Sequence, residues 1–319
     1  METEPPATRS VILATDENYA APCGVTMESL LQNTSAPSAV HFAIFGRDLH
    51  ENTKAKLQEV AHGHGASIEI RSAEAERFEG LPVIEVGSLD TFTRLYAPAE
   101  FASSECVLYI DCDVLVERDI GELFSMQLSE AVAAAVPHGP TPFVPAFREQ
   151  HGFSANHPVF NAGVLVVNPR KWAEQDVPSR AVEWIEAQDD DDLFFPDQDA
   201  INILLEGQIT PLAPQWNMEA RYYREEWMGL SDWWTQKTKG ENVIVHYTGP
   251  RKPWKRWVHV PRQWQYRAYL EATPFAESGL MTRFDAAFMV ERAAGWLSMM
   301  TRVARVRAGQ FSKTLRGTT

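Results

Sequence analysis

Short apolar runs alternate with longer amphipathic stretches over most of the chain. Val11-Ile12-Leu13-Ala14-Thr15 stops at Asp16 and predicts a first buried strand, and the spacing of Met27, Leu30 and Leu31 predicts a helix over 20–31. Val40-His41-Phe42-Ala43-Ile44-Phe45 predicts a second strand, 51–61 a polar-faced helix closed by Gly63 and Gly65, and Ser67-Ile68-Glu69-Ile70 a third strand. Such alternation is the pattern of an α/β fold, a mostly parallel sheet covered by helices on both faces. Further along, 91–97 reads as a helix punctuated by Pro98. Val107-Leu108-Tyr109-Ile110, 131–136, 163–167 and 242–247 read as strands, and 172–187 and 199–205 as helices. Segment 137–158, rich in Pro, Gly and His, reads as a long surface loop, and the four acids Asp189 to Asp192 as a solvated one. No internal repeat and no low-complexity linker precedes residue 270, so one domain over 1–270 is the simplest organisation.

Composition narrows the partners. The 319 residues carry a formal net charge of −14, which argues against a nucleic-acid partner bound along a basic face. A chain this acidic that handles a phosphorylated ligand needs a metal, or a local cluster of bases, to neutralise the phosphates. Cys23, Cys106 and Cys112 form no C-x-x-C pair and no zinc spacing, which points to a reducing compartment. Met1 to Ser10 lacks an apolar signal core, and no run approaches the ~18 consecutive apolar residues of a membrane span. The expectation is a soluble cytoplasmic protein.

The chemistry concentrates at strand ends. Asp111-Cys112-Asp113 follows the apolar run 107–110 directly. Carboxylates at i and i+2 of an extended backbone point the same way and repel unless a cation lies between them. The C-terminal mouth of an open α/β sheet is also where ligands bind, so the pair reads as a divalent-metal seat. The first strand–helix turn, Thr15-Asp16-Glu17-Asn18-Tyr19, has no glycine, so it is no dinucleotide cradle. It offers a carboxylate, an amide and a ring, groups suited to a base edge and a ring face. Far downstream, Val243-Ile244-Val245-His246 delivers an imidazole to a mouth, and Gly249-Pro250 turn the chain so that Lys252 can reach back. Imidazole ligates metals and Lys supplies a point charge for phosphate.

Six segments in one order make this specific: Ala14-Thr15-Asp16-Glu17-Asn18-Tyr19; Arg94 in Thr-Arg-Leu-Tyr; 108–116 around Asp111 and Asp113; Phe160-Asn161-Ala162-Gly163-Val164-Leu165; Asp197-Gln198-Asp199; and His246-Tyr247-x-Gly249-Pro250-x-Lys252-Pro253-Trp254. The chain resembles the retaining glycosyltransferases of family 8, the group that includes bacterial lipopolysaccharide α-galactosyl- and α-glucosyltransferases and glycogenin. That resemblance spans roughly residues 10 to 257. It implies a GT-A, Rossmann-like nucleotide-binding domain with a mixed, mostly parallel sheet, followed by an α-helical tail. It also implies a UDP-galactose or UDP-glucose donor, a saccharide or lipid-linked glycan acceptor, and retention of configuration. Carried across, Asp111, Asp113 and His246 would ligate Mn²⁺, which this donor set suits better than Mg²⁺. Asp16, Asn18 and Tyr19 would hold the uridine, with Ala14 leaving room for its ring and Cys112 packing on the ribose. Gly249 and Lys252 would meet the diphosphate, while Arg94, Asn161, Asp197 and Gln198 would fix the hexose.

Retention needs a protein nucleophile on the opposite face or front-face attack by the acceptor as UDP leaves. Gln198 is expected nearest the anomeric carbon, with Asp197 and Asp199 as the charged alternatives; front-face attack is favoured, because an amide oxygen is a poor nucleophile. His138 falls where some relatives place an acidic acceptor-binding residue. The tail, 271–319, interleaves aromatics with Arg302, Arg305, Arg307, Lys313 and Arg316 and has no acid after Met300. It is expected to dock on an anionic membrane face, at ~1 kcal/mol per base near the surface. Rival readings are a non-catalytic sugar-nucleotide binder, a haloacid dehalogenase-type phosphatase, against which Leu115 and the late position of Asp-x-Asp speak, and a nucleotidyltransferase, which would want a basic, Gly-rich first loop.

Overall fold

The computed structural model describes residues 8–73, 78–82, 89–221, 243–255, 258 and 260–277. β1 (Arg9–Asp16), β2 (Val40–Arg47) and β3 (Ser67–Ser72) run parallel, connected by α1 (Ala20–Asn33) and α2 (Glu51–Gly63). β4 (Val107–Ile110) lies parallel to β1 on its other side. β7 (Phe160–Val167) is antiparallel to both β4 and β6 (Ala133–Pro137), and β8 (Ile209–Pro211) pairs parallel with β6. The seven strands take the order β3-β2-β1-β4-β7-β6-β8, a mixed and mostly parallel sheet. Alternation along each strand feeds two cores: Val11 and Leu13 pack on one face with Phe42, Ile44, Leu108 and Ile110. Ile12 packs on the other with Ala43, Phe45, Val107 and Tyr109. Strands buried on both faces need the continuous apolar runs seen in the sequence.

A second sheet starts where β4 ends. β5 (Val114–Val116), β10 (Ile244–His246) and β9 (Met218–Glu219) form it in that order, with β10 antiparallel to β5 and parallel to β9. The outer edge of β5 would leave backbone groups unpaired, and α1 meets them with side chains. Thr26 Oγ1 donates to the carbonyls of Cys112 (3.1 Å) and Val114 (2.9 Å). Ser29 Oγ accepts the Val116 N–H at 3.1 Å, and Asn33 Nδ2 donates to the Val116 carbonyl at 3.1 Å. These three residues, spaced i, i+3 and i+7, form one stripe of the helix. The stripe pins the turn that carries Asp111 and Asp113.

Helices cover the other face. Segment 89–101 passes through 3₁₀ turns on either side of α3 (Thr93–Tyr96), so its helical course runs past Pro98 instead of ending there. After α4 (Gly121–Phe124) comes α5 (Phe143–Gln150), inside the segment expected to be a surface loop. Phe143 and Phe147, four apart, bury against Val159 and Phe194, and that apolar pair folds the middle of the loop. The helix expected over 172–187 is two, α6 (Pro169–Glu174) and α7 (Val177–Glu186), broken at Asp176 with φ +48°. Pro178 has no N–H to continue the first helix and sits at the start of the second. α8 (Pro196–Leu204) packs against α7, and Trp172 Nε1 ties α6 to the Leu95 carbonyl at 2.7 Å. α9 (Gln263–Glu271) returns to α1, followed by Phe275, whose ring lies where a side chain at Gly24 would stand. The basic, aromatic stretch of the tail lies outside the described residues. No helix among the described residues is long and apolar enough to cross a membrane.

Candidate active site

Asp111 leaves the end of β4, Asp113 precedes β5, and His246 ends β10, so the two sheets bring the three together. One ligand atom from each lies within 4.8 Å of the others. His246 Nε2 is 3.1 Å from Asp113 Oδ1 and 3.6 Å from Asp111 Oδ2. The acids do not converge by extended alternation as expected, because residues 112–113 form a turn. Backbone bonds hold that turn instead: Asp111 N–H donates to the Gly163 carbonyl at 2.8 Å, and Tyr247 N–H to the Asp113 carbonyl at 2.9 Å.

Gly163 belongs to the construction. A Cβ there would stand 2.2 Å from His246 Cε1 and 2.6 Å from Asp111 Oδ2. Two carboxylate oxygens and an imidazole nitrogen around a cleared space fit a divalent cation of intermediate softness.

Cations of the chain surround the acids. Lys252, buried, donates to Asp113 Oδ2 and to the Tyr247 carbonyl at 2.8 Å. Burial opposes the charge of Asp113, but Lys252 outweighs it and holds the carboxyl well below the usual range. Gly249, at φ +73°, makes the turn that returns Lys252 to the acids. Arg94 Nη2 donates to Asp111 Oδ1 at 2.7 Å, and its Nε is 3.1 Å from Asp197 Oδ2. One guanidinium thus joins the acid pair to the start of α8. Burial raises the Asp197 pKa, an effect that Arg94 only partly offsets.

Other expected residues are placed as follows. Asp16 Oδ1 accepts the Tyr19 N–H at 2.8 Å, while Oδ2 lies 3.5 Å from Arg47. Asn18 is exposed, and the Tyr19 ring meets Trp254 edge-on at 5.6 Å, joining the first turn to the Lys252 segment. Cys112 Sγ points to the Ala14 carbonyl at 3.0 Å. Gln198 is buried; its Oε1 accepts the Ala162 N–H at 3.1 Å, and its Nε2 has no hydrogen-bond partner among the described residues. Asp199 is set apart from this group: its Oδ2 accepts the N–H groups of Phe194 (2.7 Å) and Phe195 (2.9 Å) at the start of α8. Asn161 Oδ1 accepts from Gly163 N–H (2.9 Å) and Asn217 Nδ2 (2.7 Å).

A second cluster lies beside Gln198, of which only His138 was singled out in the sequence. His138 Nδ1 is 2.8 Å from Glu219 Oε1, and its Nε2 is 3.4 Å from Gln198 Oε1. Glu219 also pairs with Arg221 and accepts from Thr248 Oγ1 at 3.3 Å. Burial opposes its charge, but Arg221 and His138 overcome that and depress its pKa. Asn217 and Glu219 flank and end a strand of two residues, too short to show a period; only the charged pair Glu219 and Arg221 in an apolar context hinted at them.

The mixed, mostly parallel sheet has the GT-A fold of solved glycosyltransferase structures. The glycosyl transferase family 8 profile matches residues 10–258, and the chain belongs to that family. It is 27% identical over 278 residues to lipopolysaccharide 1,2-glucosyltransferase of Escherichia coli K12, covering 84% of this chain and 79% of that one. General stress protein A of Bacillus subtilis is 25% identical over 283 residues, covering 84% and 95%. Among solved structures, the galactosyltransferase LgtC with donor and acceptor sugar analogs superposes with a TM-score of 0.72 at 25% identity, covering 88% of this chain and 99% of that one.

Proposed function

We propose that the protein is a retaining hexosyltransferase that moves galactose or glucose from a UDP-sugar to a saccharide or lipid-linked glycan acceptor. The convergence of Asp111, Asp113 and His246 beside Lys252 is the observation that carries this reading. Those three residues would hold Mn²⁺, with Mg²⁺ as the substitute. When bound, the cation would supply positive charge to the departing diphosphate.

The chain's own groups account for the rest. Lys252, already drawn into the acid cluster, adds a second charge where the diphosphate would lie. Asp16, Asn18 and Tyr19, the last with its ring against Trp254, would receive the uridine, with Ala14 and Cys112 beside them. Arg94 and Asp197 would hold hexose hydroxyls as a fixed ion pair. Gln198, its oxygen turned to the Ala162 N–H, presents its amide nitrogen as a donor. That orientation counts against Gln198 as nucleophile, and Asp197 and Asp199 are engaged by Arg94 and by the start of α8. Front-face attack, with the leaving phosphate accepting the acceptor's proton, is the mechanism we favour. His138, carried on the end of β6 and backed by Glu219, would face the acceptor.

The domain would extend over 1–270, and the tail 271–319 would dock the enzyme on the cytoplasmic face of an anionic membrane. Flotation with anionic vesicles tests the tail: the full chain binds, and a chain ending at Glu271 does not. The activity is tested by incubating the protein with Mn²⁺ and a panel of UDP-sugars and following UDP release. UDP-galactose or UDP-glucose should be cleaved above the rest. No release from any donor, with UDP still bound, would make the protein a non-catalytic sugar-nucleotide binder.

A further inference from the structure

His246 presents Nε2 to the two acids, and its other nitrogen has a partner of its own. Nδ1 lies 2.9 Å from Asn217 Oδ1, and Asn217 Nδ2 lies 2.7 Å from Asn161 Oδ1. Asn161 Oδ1 in turn receives the Gly163 backbone N–H at 2.9 Å. All three side chains are buried, Asn217 to 1% exposure. Amide orientations and imidazole tautomers are ordinarily open to either assignment. Here one end of the chain of bonds is a backbone N–H, which can only donate. The Asn161 atom facing it is therefore the oxygen. That oxygen must also face an N–H, so Asn217 turns its nitrogen to Asn161 and its oxygen to His246. An oxygen opposite Nδ1 requires a proton on Nδ1. In the neutral ring, Nε2 then carries a lone pair directed at the space between two carboxylates.

We propose that Asn217, backed by Asn161 and Gly163, is a positioning residue of the metal seat. It fixes His246 in the Nδ1–H tautomer and in the ring plane that offers Nε2 to a divalent cation. The inference rests on reading Asp111, Asp113 and His246 as that seat. Partners of this kind fix a ligating imidazole and typically change metal affinity by about 10–100-fold when removed. A corollary concerns Asn161: both lone pairs of its oxygen are engaged, so a hexose hydroxyl meets only its amide nitrogen.

The test uses Mn²⁺ alone, with no sugar nucleotide. Mn²⁺ affinity is read from the electron paramagnetic resonance of the free ion for wild type, Asn217→Leu and Asn217→Asp. Asn217→Leu should bind about 10–100-fold more weakly. Asn217→Asp, which can still accept from Nδ1, should regain part of that loss. In metal-free wild type, ¹⁵N spectra of the His246 ring, assigned with His246→Gln and followed to a pH at which the ring is seen to be neutral, should show Nδ1 protonated. Asn217→Leu should lose that preference. Equal Mn²⁺ affinity in wild type and Asn217→Leu overturns the proposal, as does an Nε2–H tautomer in wild type, which needs no variant to fold. Wild type that takes up no Mn²⁺ overturns the metal seat itself, and this inference falls with it.

Discussion

Asp111, Asp113 and His246 each sit at a strand end, and main-chain bonds from Asp111 and Tyr247 hold the turn between the two acids. Around Gln198 the groups come from a helix start, a strand end and a two-residue strand, and side-chain bonds join His138, Glu219 and Arg221. The first region is held by these main-chain bonds together with side-chain bonds to Asp111, Asp113 and His246. The second depends on charges that must stay ionised in a buried place, where the loss of one partner strands another.

Gly163→Ala should break the first region most severely. The added Cβ would displace His246 or Asp111, and Mn²⁺ affinity and UDP release should each fall by about 100-fold or more. Retained Mn²⁺ affinity would show that the region is softer than the contact distances imply. Lys252→Met should follow, removing charge without bulk. UDP release should drop by about 100-fold, measured where the variant is still folded, since the lost pairing with Asp113 also lowers its stability.

In the second region, Glu219→Gln leaves His138 and Arg221 without their carboxylate. Loss of one partner of a buried pair costs ~3–5 kcal/mol; Arg221 is a quarter exposed, so about 2 kcal/mol is expected here. The pH dependence has a definite sign. The Glu219 carboxyl has a lower pKa folded than unfolded, so its stabilisation is complete above the ordinary glutamate value of about 4.3 and is lost as pH falls below that value through the folded pKa. Urea midpoints of wild type and variant should therefore differ at neutral pH and converge in acid. A difference that persists in acid would rule out charge as the cause.

Thr26→Val should have the smallest effect, about 1 kcal/mol or slightly more in urea denaturation, from two carbonyls losing a donor. Its UDP release at permissive temperature should remain near wild type. A loss of turnover far beyond the loss of stability would place α1 within the chemistry.

What the sequence disclosed follows the same division. Strands buried on both faces announced themselves as apolar runs, and residues at their ends, Asp111, Asp113 and His246, were legible with them. Lys252 was legible because Gly249 and Pro250 mark a turn. Elements built by tertiary pairing were not: β5 and β9 have three and two residues and no period of their own. Thr26 and Ser29 read as ordinary polar positions of a helix, although both are fully buried against β5. Asp199 shows the converse. Its place beside Gln198 suggested chemistry, and its bonds to the Phe194 and Phe195 N–H groups give it a task at the helix start. Sequence adjacency brought Asp197, Gln198 and Asp199 together, while the helix turned them in different directions.

The most direct test measures UDP binding by calorimetry with Mn²⁺ and again after chelation. A cation held by Asp111, Asp113 and His246 should tighten UDP by more than about tenfold, and chelation should remove that gain reversibly. Equal affinity for UDP in both conditions would contradict the account.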